Sequence, residues 1–267
     1  MRKSKIFQFL YGVILAIFII FGTMLMIRSV ELHRGNSFYE QAAEAEKQVS
    51  AASVNSTLSI APAVWTTMPE ARECESVLPK INELSLHLSQ FVGKYPETAI
   101  WLKIPDTSLD YPVMLGKDNQ FYLNHLPDGR KSALGSLFLD YRTKEDSVHL
   151  IVYGHNGLGG KMFGLLKQYN SRDYFMEHNT LTVATEDSVY VCPIFSVRRV
   201  EADSDAYRLE FEDHDSLIRY INQAASESMY QIDVDLEEVT KVLTLSTCTG
   251  WPNQRFIVQA VMVCPNM

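Results

Sequence analysis

Thr244-Leu245-Ser246-Thr247-Cys248 closes one apolar, β-branched run, and Arg255-Phe256-Ile257-Val258 opens the next, with only Thr249 to Gln254 between them. Two such runs joined by a short segment rich in turn formers read as neighbouring strands, which sets a cysteine and an arginine at their turn-proximal ends. Upstream the same rhythm recurs. Residues 100–104, 111–115, 136–139, 148–153, 180–184 and 188–200 precede 242–247 and 255–263, each a short run bounded by turn residues. The fold class is therefore mostly β. Helical spacing is confined to a few stretches. Residues 69–90 carry Val77, Ile81, Leu84 and Leu88, with Pro69 suited to a first turn and Gly93 to a stop. Residues 162–169 have helical character, and 214–226 put Leu217, Ile218, Ile221 and Ala225 on one side.

Composition narrows the class. The 267 residues leave room for one sizeable domain plus an anchor, and 46% hydrophobic with 21% charged residues is globular rather than disordered. A net charge of −8 supplies no basic face for nucleic acid, so no nucleic-acid partner is expected. From Ile6 to Ile27 the chain runs 22 residues without a charge, and about 20 such residues span a bilayer as a helix. Arg2, Lys3 and Lys5 precede this run and favour a cytoplasmic N-terminus, although Arg28 and Arg34 stand on the far side. A cleaved signal peptide is the alternative, but its apolar core is about 7 to 15 residues and ends in a small-residue site, which Met24-Leu25-Met26-Ile27-Arg28 does not offer. The expected organisation is a cytoplasmic N-terminus over 1–5, a transmembrane anchor over 6–27, a stalk and linker over 28–68, and a folded domain with its N-terminal helix over 69–267. Within the stalk, residues 40–49 are strong helix formers and 50–68 are rich in Ser, Ala, Thr and Val with Pro62.

Four cysteines, Cys74, Cys192, Cys248 and Cys264, form no Cys-x-x-Cys pair, so neither a zinc ribbon nor a disulfide framework is indicated and no metal or other cofactor is expected. Cys192 and Cys264 lie in apolar strand-like runs and read as small buried hydrophobes. With Cys248 free, one disulfide among the other three remains open.

Cys248 has company of a different kind. Arg255 follows it by seven positions, and His155 precedes it by 93, in Tyr153-Gly154-His155-Asn156 directly after a predicted strand. A thiol to attack, an imidazole to move protons and a guanidinium to steady an oxyanion cover the needs of acyl transfer. An ordinary thiol titrates near pH 8.5 and an imidazole near 6.5, so an uncoupled pair holds thiolate and imidazolium together in only a minority of molecules at neutral pH. The ordinary alternative for Arg255 is a strand-end ion pair. For Asn156 it is a turn, and for Ser246 and Thr247 hydrogen bonds within the sheet.

Tyr153-Gly154-His155-Asn156, the following Gly160-Lys161-Met162-Phe163-Gly164-Leu165-Leu166, Thr244 to Cys248, and Arg255-Phe256-Ile257-Val258 occur in an order and spacing that resembles the sortases, most closely class B, over residues 100–263. The resemblance implies an eight-stranded sortase-type β-barrel with N-terminal helices and an inserted helix before the seventh strand, where 69–90 and 214–226 fall. It implies a catalytic set of His155, Cys248 and Arg255. It further implies cleavage of a Pro/Thr-containing sorting signal after its threonine and transfer to an amine. The implied partners are secreted surface proteins bearing a C-terminal sorting motif and a peptidoglycan precursor or cross-bridge amine. Tyr207, in Asp205-Ala206-Tyr207-Arg208, resembles the position that contacts the motif, with Ser246 and Thr247 as further substrate-binding candidates. The loop from Thr249 to Gln254 is short for the class. A thiol endopeptidase using water as acceptor, or a non-catalytic surface module, are the alternatives.

Overall fold

The computed structural model describes residues 2–53, 84–232, 236 and 239–263. The alternating runs become strands β1 (Thr98–Lys103), β2 (Asp110–Met114), β3 (Leu137–Leu139), β4 (His149–Tyr153), β5 (Thr180–Ala184), β6 (Val189–Glu201), β7 (Lys241–Cys248) and β8 (Gln254–Met262). They close into a barrel in the order β1-β2-β3-β4-β7-β8-β6-β5. Among the described strands only β2/β3 and β4/β7 pair in parallel. The expected eight-stranded barrel is thus the observed one, each strand beginning and ending within two residues of its predicted bounds. Closure removes the exposed sheet edges that would otherwise template aggregation.

Leu102, Val113, Leu139, Val152, Leu243, Leu245 and Val258 fill the interior together with Met162 and Phe163. Helix α4 (His214–Ser226) packs outside, where Leu217, Tyr220, Ile221 and Ala224 meet Phe195, Val242 and Val261. Asp213 caps it, its carboxylate accepting from the Ser216 amide while Ser216 Oγ reaches back to the Asp213 amide. The stretch read as helical over 162–169 is instead a 3-10 helix, Phe163–Asn170, followed by α3 (Arg172–Glu177). Gly164 lies so close to Gly157 that a Cβ there would meet the Gly157 carbonyl oxygen at 2.1 Å, so the approach needs glycine.

Helix α1 runs unbroken over Arg2–Ser53, through the predicted anchor and into the stretch read as stalk. Its apolar side chains from Leu10 to Ile27 face outward, and it contains an 18-residue window of mean hydropathy 2.6, long and apolar enough to cross a membrane. Beyond that window the helix lies against the barrel. Ser132 Oγ donates to the Glu31 carbonyl (3.1 Å), Tyr39 Oη donates to Ser136 Oγ (3.1 Å), and the Tyr39 ring meets Tyr111 edge-on at 5.2 Å. Gly35 sits where a Cβ would touch Ser132 Oγ at 2.5 Å, so the helix approaches closely only because that residue is glycine. Helix α2 covers residues 84–94, seating Leu84 and Leu88 against Trp101, Ala184 and Val189. The rest of the expected helix over 69–90, and the linker from residue 54 onward, lie outside the described residues, as do Cys74 and Cys264. Cys192 and Cys248 are free thiols. Cys192 is buried as expected, and burial pushes its thiol far up.

Candidate active site

β4 and β7 pair in parallel up to Tyr153 opposite Ser246, and β7 meets β8 antiparallel with Cys248 opposite Arg255. Side chains alternate between the two faces of a strand. Thr244, Ser246 and Cys248 therefore share one face with Arg255, Ile257 and Gln259 of β8 and His149, Ile151 and Tyr153 of β4. That face looks away from the barrel interior. α4 covers one end of it, and the other end emerges at a rim where Cys248 is exposed. Directly opposed side chains on antiparallel strands have Cβ atoms about 5 Å apart, so thiol and guanidinium are neighbours by register.

His155 reaches the same rim by an extension of the β4/β7 ladder. Gly154 N donates to the Ser246 carbonyl (3.2 Å), Thr247 Oγ1 to the Gly154 carbonyl (2.8 Å), and Asn156 Nδ2 to the Cys248 carbonyl (2.9 Å). Side chains thus continue the pairing past the last register pair, and the turn that presents the imidazole is fastened to the strand end that presents the thiol. Gly154 allows this: a Cβ would meet Leu137 Cδ2 at 2.4 Å and Phe163 Cδ2 at 2.7 Å. The turn closes through Phe163 N donating to the His155 carbonyl (3.0 Å), with buried Met162 at φ 51. His155 Nε2 lies 2.6 Å from the Leu123 carbonyl, which only accepts, so Nε2 carries the proton there.

Arg255 Nη1 donates to the carbonyls of Pro252 (3.0 Å) and Gln254 (3.1 Å). The short loop therefore holds the guanidinium at its own base. Among the described residues no carboxylate pairs with Arg255. The loop turns through Gly250 at φ 100 and presents Trp251, 73% exposed, at its tip.

The three substrate-binding candidates separate. Tyr207 ends a 3-10 turn, Asp205–Tyr207, and its hydroxyl lies 2.8 Å from Ser246 Oγ, one pleat below Cys248. Burial pushes the Tyr207 phenol up. Thr247 takes the opposite face, 3% exposed, with its hydroxyl committed to Gly154. Behind Tyr207 its ring lies nearly parallel to that of Tyr153, 6.2 Å away, and Tyr153 Oη donates to Asp140 (3.1 Å). Burial alone would raise the Asp140 carboxyl, but hydrogen bonds from Arg142 and Asn119 outweigh it and bring it down to about 2.

The Sortase domain family model matches residues 102–263. The chain is 32% identical over 168 residues to sortase B of Listeria monocytogenes, covering 61% of this chain and 68% of that one. Against sortase B of Staphylococcus aureus it is 27% identical over 176 residues, covering 65% and 69%. The structure of a mutant form of Clostridium perfringens sortase B superposes with a TM-score of 0.63 at 28% identity, covering 70% of this chain and 92% of that one. The chain belongs to the sortase family, in its class B branch. Sortases are cysteine transpeptidases, so the enzyme class follows with the family.

Sequence reasoning singled out candidate residues that meet at the rim but not what holds them there. Asn156 reads as a turn former, yet its amide joins the two halves of the site. Leu123 offers only a backbone carbonyl, which no side-chain motif reports. Asp140 lies at the end of β3 with no local pattern to mark it, and only the tertiary pairing with Tyr153 gives it a place in the site.

Proposed function

We propose that this sortase cleaves a Pro/Thr-containing sorting signal after the threonine and transfers the acyl part to an amine of the cell-wall peptide. The Cys248 thiolate attacks the threonine carbonyl, forming a C–S bond and a tetrahedral oxyanion. Arg255 donates hydrogen bonds to that oxyanion, and protonated His155 gives its proton to the departing amine as the C–N bond breaks. An incoming amine then attacks the thioester, loses its proton to His155 and releases the thiolate. Tyr207 is assigned to the wall that meets the peptide, Ser246, 2% exposed, backs it through the hydroxyl contact with Tyr207, and Thr247 contributes through the strand it holds. Residues 6–27 of α1 serve as a single-pass anchor with Arg2, Lys3 and Lys5 on the cytoplasmic side, leaving residues 69–267 outside as the catalytic domain.

The observation that carries this reading is the cross-strand pairing of Cys248 with Arg255, together with the Asn156 amide that ties the His155 turn to the Cys248 carbonyl. The test is incubation of the enzyme with a library of Pro-x-Thr peptides, with and without amine nucleophiles, read by mass spectrometry. Amide-linked products should appear only with Cys248 present, and Cys248→Ala should fold yet yield none. Cleavage products alone, unchanged by added amine, would make the enzyme a thiol endopeptidase instead.

A further inference from the structure

The face that ends at Cys248 begins, three pleats inside, with polar side chains the transpeptidation chemistry does not use. His149, Thr244 and Gln259 are fully buried and Tyr220 is 5% exposed, although each carries groups that cost free energy to bury unpaired. We propose that these four residues form a positioning device for Tyr207. The Tyr220 hydroxyl bonds the Ala206 carbonyl (3.3 Å) and His149 Nδ1 bonds the Arg208 carbonyl (2.5 Å), gripping the backbone on both sides of residue 207. This rests on the assignment of Tyr207 to the peptide-binding wall.

The bond directions follow from the donors and acceptors present, with Gln259 turned so that Nε2 faces the set and Oε1 makes no hydrogen bond. A carbonyl cannot donate, so His149 Nδ1 carries the proton toward Arg208. Burial holds the imidazole neutral, bringing it down to about 4, which leaves Nε2 an acceptor. Thr244 Oγ1, 2.7 Å from Nε2, must then donate to it and accept in turn from Gln259 Nε2 at 3.0 Å. The same Gln259 amide donates to Tyr220 Oη (2.7 Å), freeing that hydroxyl to donate to Ala206. Both grips therefore originate on one amide group of β8, with each hydroxyl accepting once and donating once.

Such a device answers a specific problem. Tyr207 lies on the connection between β6 and α4, and fixing each backbone residue of a loop costs about 1–2 kcal/mol of conformational entropy. Held at both neighbouring carbonyls, and through its own hydroxyl on Ser246, Tyr207 meets the peptide already in place. The ordering cost is then borne on folding rather than on binding.

The test is steady-state kinetics on the full chain in detergent, using the best-cleaved member of the Pro-x-Thr library, together with the rate at which iodoacetamide alkylates Cys248. Tyr220→Phe keeps the ring that packs on His149 and Phe211 while removing the hydroxyl. Loss of one buried hydrogen bond should raise KM about threefold to tenfold, with the alkylation rate within about twofold of wild type. Thr244→Val should raise KM similarly, and Thr244→Ser, which keeps the hydroxyl, should restore it. In a Tyr207→Ala background, Tyr220→Phe should have no further effect on KM. An equal rise in both backgrounds, or no rise in either, overturns the device while leaving Tyr207 as a substrate contact. If Tyr207→Ala alone leaves KM unchanged, the binding-wall assignment fails, and the proposal falls with it.

Discussion

Arg255 presents two donors on one planar fork, whereas lysine offers the same charge without that geometry. With Nη1 on the Pro252 and Gln254 carbonyls, the guanidinium is oriented by its own loop beside Cys248. Arg255→Lys should therefore fold and still lose on the order of 10² to 10³ in rate, the cost of one oxyanion donor in other acyl-transfer enzymes. Measuring both constants for the lysine and alanine variants checks it: the loss belongs in kcat, and a raised KM with unchanged kcat would reassign Arg255 to ground-state peptide binding. His149 makes a second prediction at this scale. Its ordinary value near 6.5 falls to about 4 in the folded chain, mainly through burial. Between those values the unfolded chain takes up a proton that the folded chain refuses. Stability is therefore full above pH 6.5 and is lost on acidification toward pH 4, by on the order of 3 kcal/mol. Urea midpoints at pH 7 and pH 4.5 should show a smaller loss for His149→Gln than for wild type, even if the variant starts lower at pH 7.

Among the elements, the junction of β4 with β7 decides how the site is held. The backbone ladder stops at Tyr153 opposite Ser246, two residues short of His155 and Cys248, and the side chains of Thr247 and Asn156 carry it on. Asn156→Ala should lower kcat about tenfold through a loosened His155–Cys248 pair while shifting the melting temperature by only a few degrees, since one exposed-edge hydrogen bond contributes about 1 kcal/mol. Thr247→Val, which removes a buried bond, should cost both activity and stability, and Thr247→Ser should recover both. Kinetics and thermal melts of the three variants separate these outcomes. The strands themselves were legible because Val242, Leu243, Leu245 and their counterparts form short apolar runs bounded by turn residues. Their parallel pairing was not, because β4 and β7 are separated by β5, β6 and α4, and period alone carries no information about such distant partners. The 3-10 turn that presents Tyr207 was hidden for a related reason: three residues are too few to show a period.

At the scale of the whole molecule, the apolar run over residues 6–27 was plain in the sequence, but the docking of the segment after it was not. Glu31 to Tyr39 read as stalk because Glu31, His33, Arg34 and Asn36 interrupt any long apolar stripe, while Gly35 looks like a break rather than a contact. In the folded chain the Glu31 carbonyl, Gly35, Phe38 and Tyr39 meet the barrel while His33 and Arg34 stay exposed. Phe38 is 8% exposed, Tyr39 bonds Ser136, and Gly35 lets the helix touch Ser132. The apolar segment thereby continues as a single helix into the barrel wall, and with that segment in a membrane, as proposed, packing rather than the reach of a linker would set the height of Cys248. Two truncations test this. A chain beginning at Arg28 keeps the docked turn and should retain the activity and melting temperature of the full enzyme. A chain beginning at Ser50 uncovers the surface around Tyr111, Leu134 and Phe91. Loss of the Phe38 side chain's burial and the Tyr39 contacts costs on the order of 4 kcal/mol, which in a domain of this size lowers the melting temperature by roughly 10 °C. Thermal melts and peptide turnover of the two truncations, measured side by side, decide it: equal melting temperatures would mean that the segment before Ser50 is a tether and that its contacts with the barrel contribute nothing.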